Sequence, residues 1–272
     1  QAEKGIPVHV HGVVTLPFWG KDVLWFVIQD DSGGICVNIS EARRLHIWHG
    51  DDAALGQVRR GMEVEMEGIS HGGGFAPVIL PQKLQIMGEK ALPAARPMLP
   101  EEFFVGCDDC QFICDVRGVV QGVKKLNWGW ALRIDTPSHR SFTAELSPNV
   151  VPSPDRLVDA EICMRGVTDS VFNSRGEFVG PRLLISQAGD LVVETSPPRS
   201  PFDAPKADLD QLFPFSPKPL EPHRVVTEGI VTYAQSIGLF YLQHGNSAVQ
   251  VEPISRETVQ LGDRVQVAGF VT

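Results

Sequence analysis

One short pattern recurs three times in these 272 residues, and it confines the chain to folds made by repeating a small unit. Val8-His-Val-His-Gly-Val-Val14 returns as Cys114-Asp-Val-Arg-Gly-Val-Val120 and again as Val225-Val-Thr-Glu-Gly-Ile-Val231. A second landmark follows each: Val64-Glu-Met-Glu-Gly-Ile69, Ile162-Cys-Met-Arg-Gly-Val167 and Val265-Gln-Val-Ala-Gly-Phe270. Between them lie Phe26-Val-Ile-Gln-Asp30, Leu132-Arg-Ile-Asp135 and Phe240-Tyr-Leu-Gln-His244, each closed by a polar turn. Three landmarks in one order, three times over, define three copies of one module.

The landmarks alternate apolar and polar residues with period two, as half-buried antiparallel strands do. In the first copy the pattern predicts strands near 7–15, 23–30 and 35–39, a helical stretch over 41–56, and strands over 62–70 and 75–87. That order is the five-stranded Greek-key barrel called the OB-fold, and a glycine inside its first strand fits the bend the strand must make. The fold class is therefore all-β: tandem OB-fold-like barrels with short helical inserts. The copies span 1–90, 91–194 and 224–272. The third lacks its last strand, and residues 195–223 form a Pro-rich linker that should run extended.

Hydrophobic residues are 43% of the chain, too many for disorder. The net charge is −9, and each copy is acidic when Lys and Arg are counted against Asp and Glu. Phosphate backbones are held by cationic stripes, and no stripe stands out along the sequence. No run of 18 apolar residues occurs, so these residues hold no membrane-spanning helix.

The motifs GIPVHVHGVVT, WFVIQDDSGGICVNI and GMEVEMEGIS, with Leu99-Pro-Glu-Glu102 and Leu261-Gly-Asp-Arg-Val265, resemble OB-like repeats in the extracytoplasmic regions of bacterial sensor proteins, chiefly two-component histidine kinases. The resemblance implies a non-enzymatic periplasmic sensing region. Its partner would be a small-molecule, glycan or protein signal, with a membrane anchor outside this stretch and no cofactor. Nucleic acid is not expected, and an open edge in the third copy suits a homo-oligomer. Two other readings stay open: a carbohydrate-binding accessory region, and a single-stranded nucleic-acid-binding OB array, for which Lys124-Lys125 is the basic pair near a platform.

OB barrels bind through the face of strands two and three and the adjoining loops, often by stacking on aromatics. Trp19, Trp25, Trp128, Trp130, Tyr233 and Tyr241 occupy that region of the three copies and are the ligand-contact candidates, with core or inter-module packing as the competing role. Cys107-Asp-Asp-Cys110, with Cys114 beyond, leaves three readings open: unpaired thiols, a disulfide between Cys107 and Cys110 or of one with Cys114, and a metal site. Gly68-Ile-Ser-His-Gly72 matches a nucleophile elbow in form, but it sits where a hairpin turn is expected, so no catalytic residue is assigned. His9 and His11 share a strand face and are read as a solvated surface rather than metal ligands.

Overall fold

At the repeated glycine one backbone comes close to the next strand's. A Cβ on Gly12 would stand 3.1 Å from the Gln29 carbonyl oxygen, on Gly118 2.8 Å from that of Asp135, and on Gly229 2.6 Å from that of Gln243. Each glycine pairs with the first residue of the second landmark: Gly12 with Val64, Gly118 with Ile162, Gly229 with Val265. The repeat in sequence is thus a repeat in register. The computed structural model describes residues 4–19, 24–74, 76–104, 109–212, 221–235, 238–254 and 258–271.

Module one is a closed barrel of β1 (Pro7–Leu16), β2 (Trp25–Gln29), β3 (Gly34–Asn38), β4 (Met62–His71) and β5 (Val78–Glu89), in the order β1-β2-β3-β5-β4. The β3–β5 pairing is parallel and the others antiparallel, as the OB-fold requires. Val14, Phe26, Val37, Val64 and Met66 fill its core. The single helix expected over 41–56 is two short ones, α1 (Ile39–Arg44) and α2 (Asp52–Leu55). His46 breaks it with a φ of 57°, and Asn38 and Asp51 cap the two starts by accepting the Glu41 and Ala53 amides at 2.9 and 2.8 Å.

Module two opens with β6 (Arg96–Pro97) and α3 (Pro100–Phe104), then β7 (Phe112–Leu126), β8 (Gly129–Asp135), β9 (Ser141–Leu146), β10 (Glu161–Phe172), β11 (Phe178–Ile185) and β12 (Leu191–Thr195). A β10–β7 pairing closes the same barrel, while β6 and β12 extend the sheet. The fifth strand is interrupted here by a 3-10 turn at Ala188–Asp190.

Modules one and two form one compact unit ending at Thr195. Leu16, Trp19 and Val27 of the first pack with Phe112, Val167 and Leu184 of the second. Beside them Asp190, on the interrupted fifth strand, receives the Arg60 guanidinium from module one and the Arg165 Nε at 2.7 Å. Arg60 and Asp190 are both within a few per cent of complete burial, and both guanidiniums lie over the Phe112 ring. The Gln29-Asp-Asp-Ser-Gly-Gly34 turn belongs to the same joint. Gln29 Oε1 accepts the Phe112 amide at 2.8 Å, and a Cβ on Gly34 would strike the Cys110 carbonyl.

The second unit, Ser196–Thr272, is a four-stranded sheet ordered β15-β14-β13-β16, from β13 (Val225–Ala234), β14 (Phe240–His244), β15 (Ser247–Val251) and β16 (Arg264–Gly269). The stretch read as a linker contributes to it. Lys206 bridges Val226 in parallel, and Ala207, Leu209 and Leu212 enter the core. This repeats the lead of module two, where Arg96 and Pro97 pair in parallel with β7 and Phe103 is buried behind them. Apolar residues among the prolines account for the difference, since Ala207, Leu209 and Leu212 are buried in the core of this unit. No helix among the described residues is long and apolar enough to cross a membrane.

Three substitutions test this packing. Gly118→Ala should cost about 1–3 kcal/mol in urea unfolding, because the new methyl meets backbone and the Ile134 side chain. Gly180→Ala, with open space around it, should change stability by no more than about 0.5 kcal/mol. Asp190→Ala strands a buried guanidinium and should cost about 3–5 kcal/mol.

Candidate nucleic-acid interface

Several basic side chains of this acidic chain are matched to a carboxylate. Lys83 and Lys90 meet Glu67 and Glu63 at 2.8 and 2.6 Å, Arg117 meets Glu194 at 3.0 Å, and Arg182 joins Glu145 and Asp169. On the outer face of module two the matching stops. Arg133 on β8 lies opposite Gly122 on β7, and Lys124 lies opposite Ala131, after a bulge between Val120 and Gly122 sets the register. The two small residues leave a groove of about 280 Å³ lined by Gly122, Val123, Lys124, Ala131, Leu132, Arg133 and Thr143. Lys124, Lys125 and Arg133 are exposed, and among the described residues none of them has a carboxylate within ion-pair distance. Two residues along β8, Asp135 is buried and engaged by Gln121 Nε2 and Ser141 Oγ, both at 3.1 Å. The groove carries two cations, Lys124 and Arg133, and no lining carboxylate.

The six aromatic candidates divide. Trp19 is 5% exposed and belongs to the joint between modules one and two, where Trp25 also packs. Glu145 Oε2 accepts the Trp19 indole N–H at 3.3 Å and that of Trp128 at 3.4 Å, so one carboxylate ties a module-one loop to a module-two hairpin. Trp130 packs against the module-two core, with the Lys125 ammonium 5.8 Å from its ring centre. Trp128 and Trp130 therefore do not make the shared platform that their spacing suggests: the tight turn at Asn127-Trp128 sends one ring to Glu145 and the other inward. Tyr233 and Tyr241 remain outward, 51% and 38% exposed, with ring centres 6.0 Å apart. A register shift between Val231 and Tyr233 brings these two tyrosines opposite each other. Module three has its own groove of about 440 Å³, on the outer face of β13 and β14, but its cation Arg264 is paired with Glu228 at 3.2 Å.

Cys107 lies outside the described residues, and Cys110 faces a partner that spacing alone does not suggest. A hydrogen bond with the Cys36 thiol of module one, together with burial, pushes the Cys110 thiol well above its ordinary pKa. Among the described residues no group of three His, Cys, Asp or Glu side chains is arranged to hold a metal. His9 and His11 each face a β4 carboxylate, Glu65 at 2.9 Å and Glu63 at 2.7 Å. Ser70 is a strand residue whose hydroxyl accepts the Ile6 amide at 3.1 Å, which suits a strand tie and not a nucleophile elbow.

No family model matches the chain, and no curated protein does. Solved structures similar to it include a murine DNA-binding protein bound with double-stranded DNA, at 7% identity and a TM-score of 0.34, covering 72% of this chain and 100% of that one. The Ifi202 HINa domain in complex with 20-bp double-stranded DNA is 9% identical, with a TM-score of 0.32 over 71% of this chain and 96% of that one. The tetrameric p202 HIN2 structure is 10% identical, with a TM-score of 0.29, covering 65% and 86%. Two of these neighbours are DNA complexes. The cationic groove corrects the expectation of a signal-transducing sensor region of histidine-kinase type, and with it the expectation of no nucleic-acid partner. The charge count missed the groove because it sums over carboxylates already committed to ion pairs elsewhere. The chain is an all-β array of modules.

The Cys110 environment has a chemical signature. A raised pKa leaves less thiolate at neutral pH, so Cys110 should alkylate with iodoacetamide more slowly than Cys163 in the native protein, and at a similar rate in urea. Peptide mass spectrometry reads both sites, and equal native rates would contradict this environment.

Proposed function

We propose that this chain binds single-stranded nucleic acid, with the outer face of β7, β8 and β9 following the phosphates. The observation that carries this reading is the groove holding Lys124 and Arg133, flanked by Lys125, without a carboxylate in its lining. An OB barrel presents this same face to oligonucleotides. Gly122 and Ala131 let a backbone approach the sheet while Lys124 and Arg133 replace its counterions. The outward Tyr233–Tyr241 pair of module three supports the reading from the second unit. Exposed rings stack on base faces, and those faces are open only where bases are unpaired. The overall charge of −9 works against binding at long range, so affinity should be modest and depend on this local patch.

Fluorescence anisotropy with a labelled oligo-dT strand tests the proposal. Binding in the range of about 1–100 µM at low salt is expected, with a log–log salt slope of about −1.4, from roughly −0.7 per neutralised phosphate and two cations. Lys124→Gln combined with Arg133→Gln should bring the slope close to zero and weaken binding at least about tenfold. Tyr233→Ala with Tyr241→Ala should weaken binding by about 1–3 kcal/mol per lost base stack and leave the slope unchanged. No binding at low salt, or binding indifferent to the Lys124/Arg133 change, would contradict the reading.

A further inference from the structure

Cys36 and Cys110 are far apart in sequence and meet where module one docks on module two. Cys36 sits on β3 opposite Val27 of β2, and it alternates with Val37, which enters the module-one core. Val27 is sealed against Phe112, Val167 and Leu184 of module two, and Cys110 packs on that same cluster. Two residues before Cys36, a Cβ on Gly34 would fall 1.8 Å from the Cys110 carbonyl oxygen, so the backbones of β3 and Cys110 are already in contact. Cys110 is also fixed from its own module. Its amide donates to the Thr168 carbonyl at 2.8 Å, and the Gln111 amide donates to Thr168 Oγ1 at 2.9 Å. These bonds hold Cys110 at a left-handed φ of 68°. Cys36 and Cys110 are both half-buried free thiols, hydrogen-bonded to each other. Cys114 and Cys163 are placed otherwise: Cys114 Sγ meets the Ala95 carbonyl and the Asp115 carboxylate, each at 3.5 Å, and Cys163 lies on β10 opposite Arg117.

We infer that Cys36 and Cys110 form a reversible disulfide that locks module one to module two when the chain meets hydrogen peroxide. Disulfides tolerate little backbone displacement, and here the two thiols touch across backbones that are already in contact. The Cys36 thiolate attacks the peroxide: an S–O bond forms, the O–O bond breaks, and the first water leaves with the thiol's proton. The Cys110 sulfur then attacks the Cys36 sulfenic sulfur. An S–S bond forms, the S–O bond breaks, and the second water leaves with the Cys110 proton. Two thiols thus give up two electrons, and the peroxide is reduced to two waters. The order follows from the surroundings, since the hydrogen bond from Cys36 and burial hold Cys110 as a thiol and leave Cys36 as the first nucleophile. Proximity supplies the high effective concentration that the second step needs. The closed loop runs through both modules, so the bond restricts the unfolded chain and stabilises the joint. This inference is independent of the nucleic-acid reading, which rests on the opposite end of the β7–β8 hairpin and on module three.

The test treats the whole 272-residue chain, first reduced and then freed of reductant, with a small excess of hydrogen peroxide. Remaining thiols are blocked with N-ethylmaleimide, and the chain is digested without reduction. Mass spectrometry should find Cys36 joined to Cys110 as the main cross-link. The melting temperature of the first unit should rise by about 5–10 °C and fall back with dithiothreitol. A variant with Cys107→Ser, Cys114→Ser and Cys163→Ser keeps only the proposed pair and should still form the link, whereas Cys36→Ser should lose both the link and the rise. If the triple variant does not fold, the cross-link map of the unaltered chain decides alone. A main cross-link from Cys110 to Cys107 or Cys114, links between two chains, or oxidation of Cys36 to the sulfinic acid without a link would each overturn the inference. So would a treated chain with no cross-link, or a Cys36–Cys110 link that leaves the melting temperature unchanged.

Discussion

Asp190 carries the arrangement of the first two barrels. It is nearly sealed from solvent and holds the buried Arg60 of module one, with Arg165 of its own module on the other side. An ionised pair at this depth survives only with its partners in place, since each buried charge costs several kcal/mol when left alone. The interruption of the fifth strand at Ala188–Asp190 is what brings the carboxylate to the joint. Phe112 lies against both guanidiniums, and its amide is taken by Gln29. Glu145 does similar work nearby, accepting indole N–H groups from Trp19 and Trp128 and pairing with Arg182. Two aromatic side chains that resemble ligand contacts in the sequence are thereby committed to structure.

Commitment of charge and of rings also explains where binding capacity is left. Several basic residues of this acidic protein are paired with carboxylates, and in the groove of module two Lys124 and Arg133 stay without one among the described residues. In module three the cation is neutralised by Glu228, but two tyrosines stay outward. The same module thus offers charge in one copy and stacking surface in another. Variation of the outer face over a constant barrel core is what repetition of a small fold permits, because outer positions of a strand change without disturbing the inner ones.

The architecture was legible because its determinants are local. A glycine in the first strand and another in the fourth, at fixed distances from alternating valines, specify where strands cross and which faces are buried. The OB topology follows from that pattern. The helical insert was overcalled because His46, in a left-handed conformation, is not a residue that announces a break. The lead into module three was read as linker because its prolines outweigh Ala207, Leu209 and Leu212, and only the matching lead of module two identifies it. The candidate interface was half legible. Lys124-Lys125 is visible as a basic pair, but Arg133 joins it only through a strand register set by the bulge before Gly122. The contacts among Trp19, Trp128 and Glu145, and between Arg60 and Asp190, join residues too far apart for periodicity to connect.

The central claim is that the outer face of β7–β9 touches nucleic acid, and backbone chemical-shift mapping by NMR tests it most directly. On titration with a short single strand, the account predicts shifts concentrated at residues 122–125, 131–133 and 143, with Tyr233 and Tyr241 as a second group. Shifts confined to the opposite side of module two, or an unchanged spectrum at saturating oligonucleotide and low salt, would contradict it.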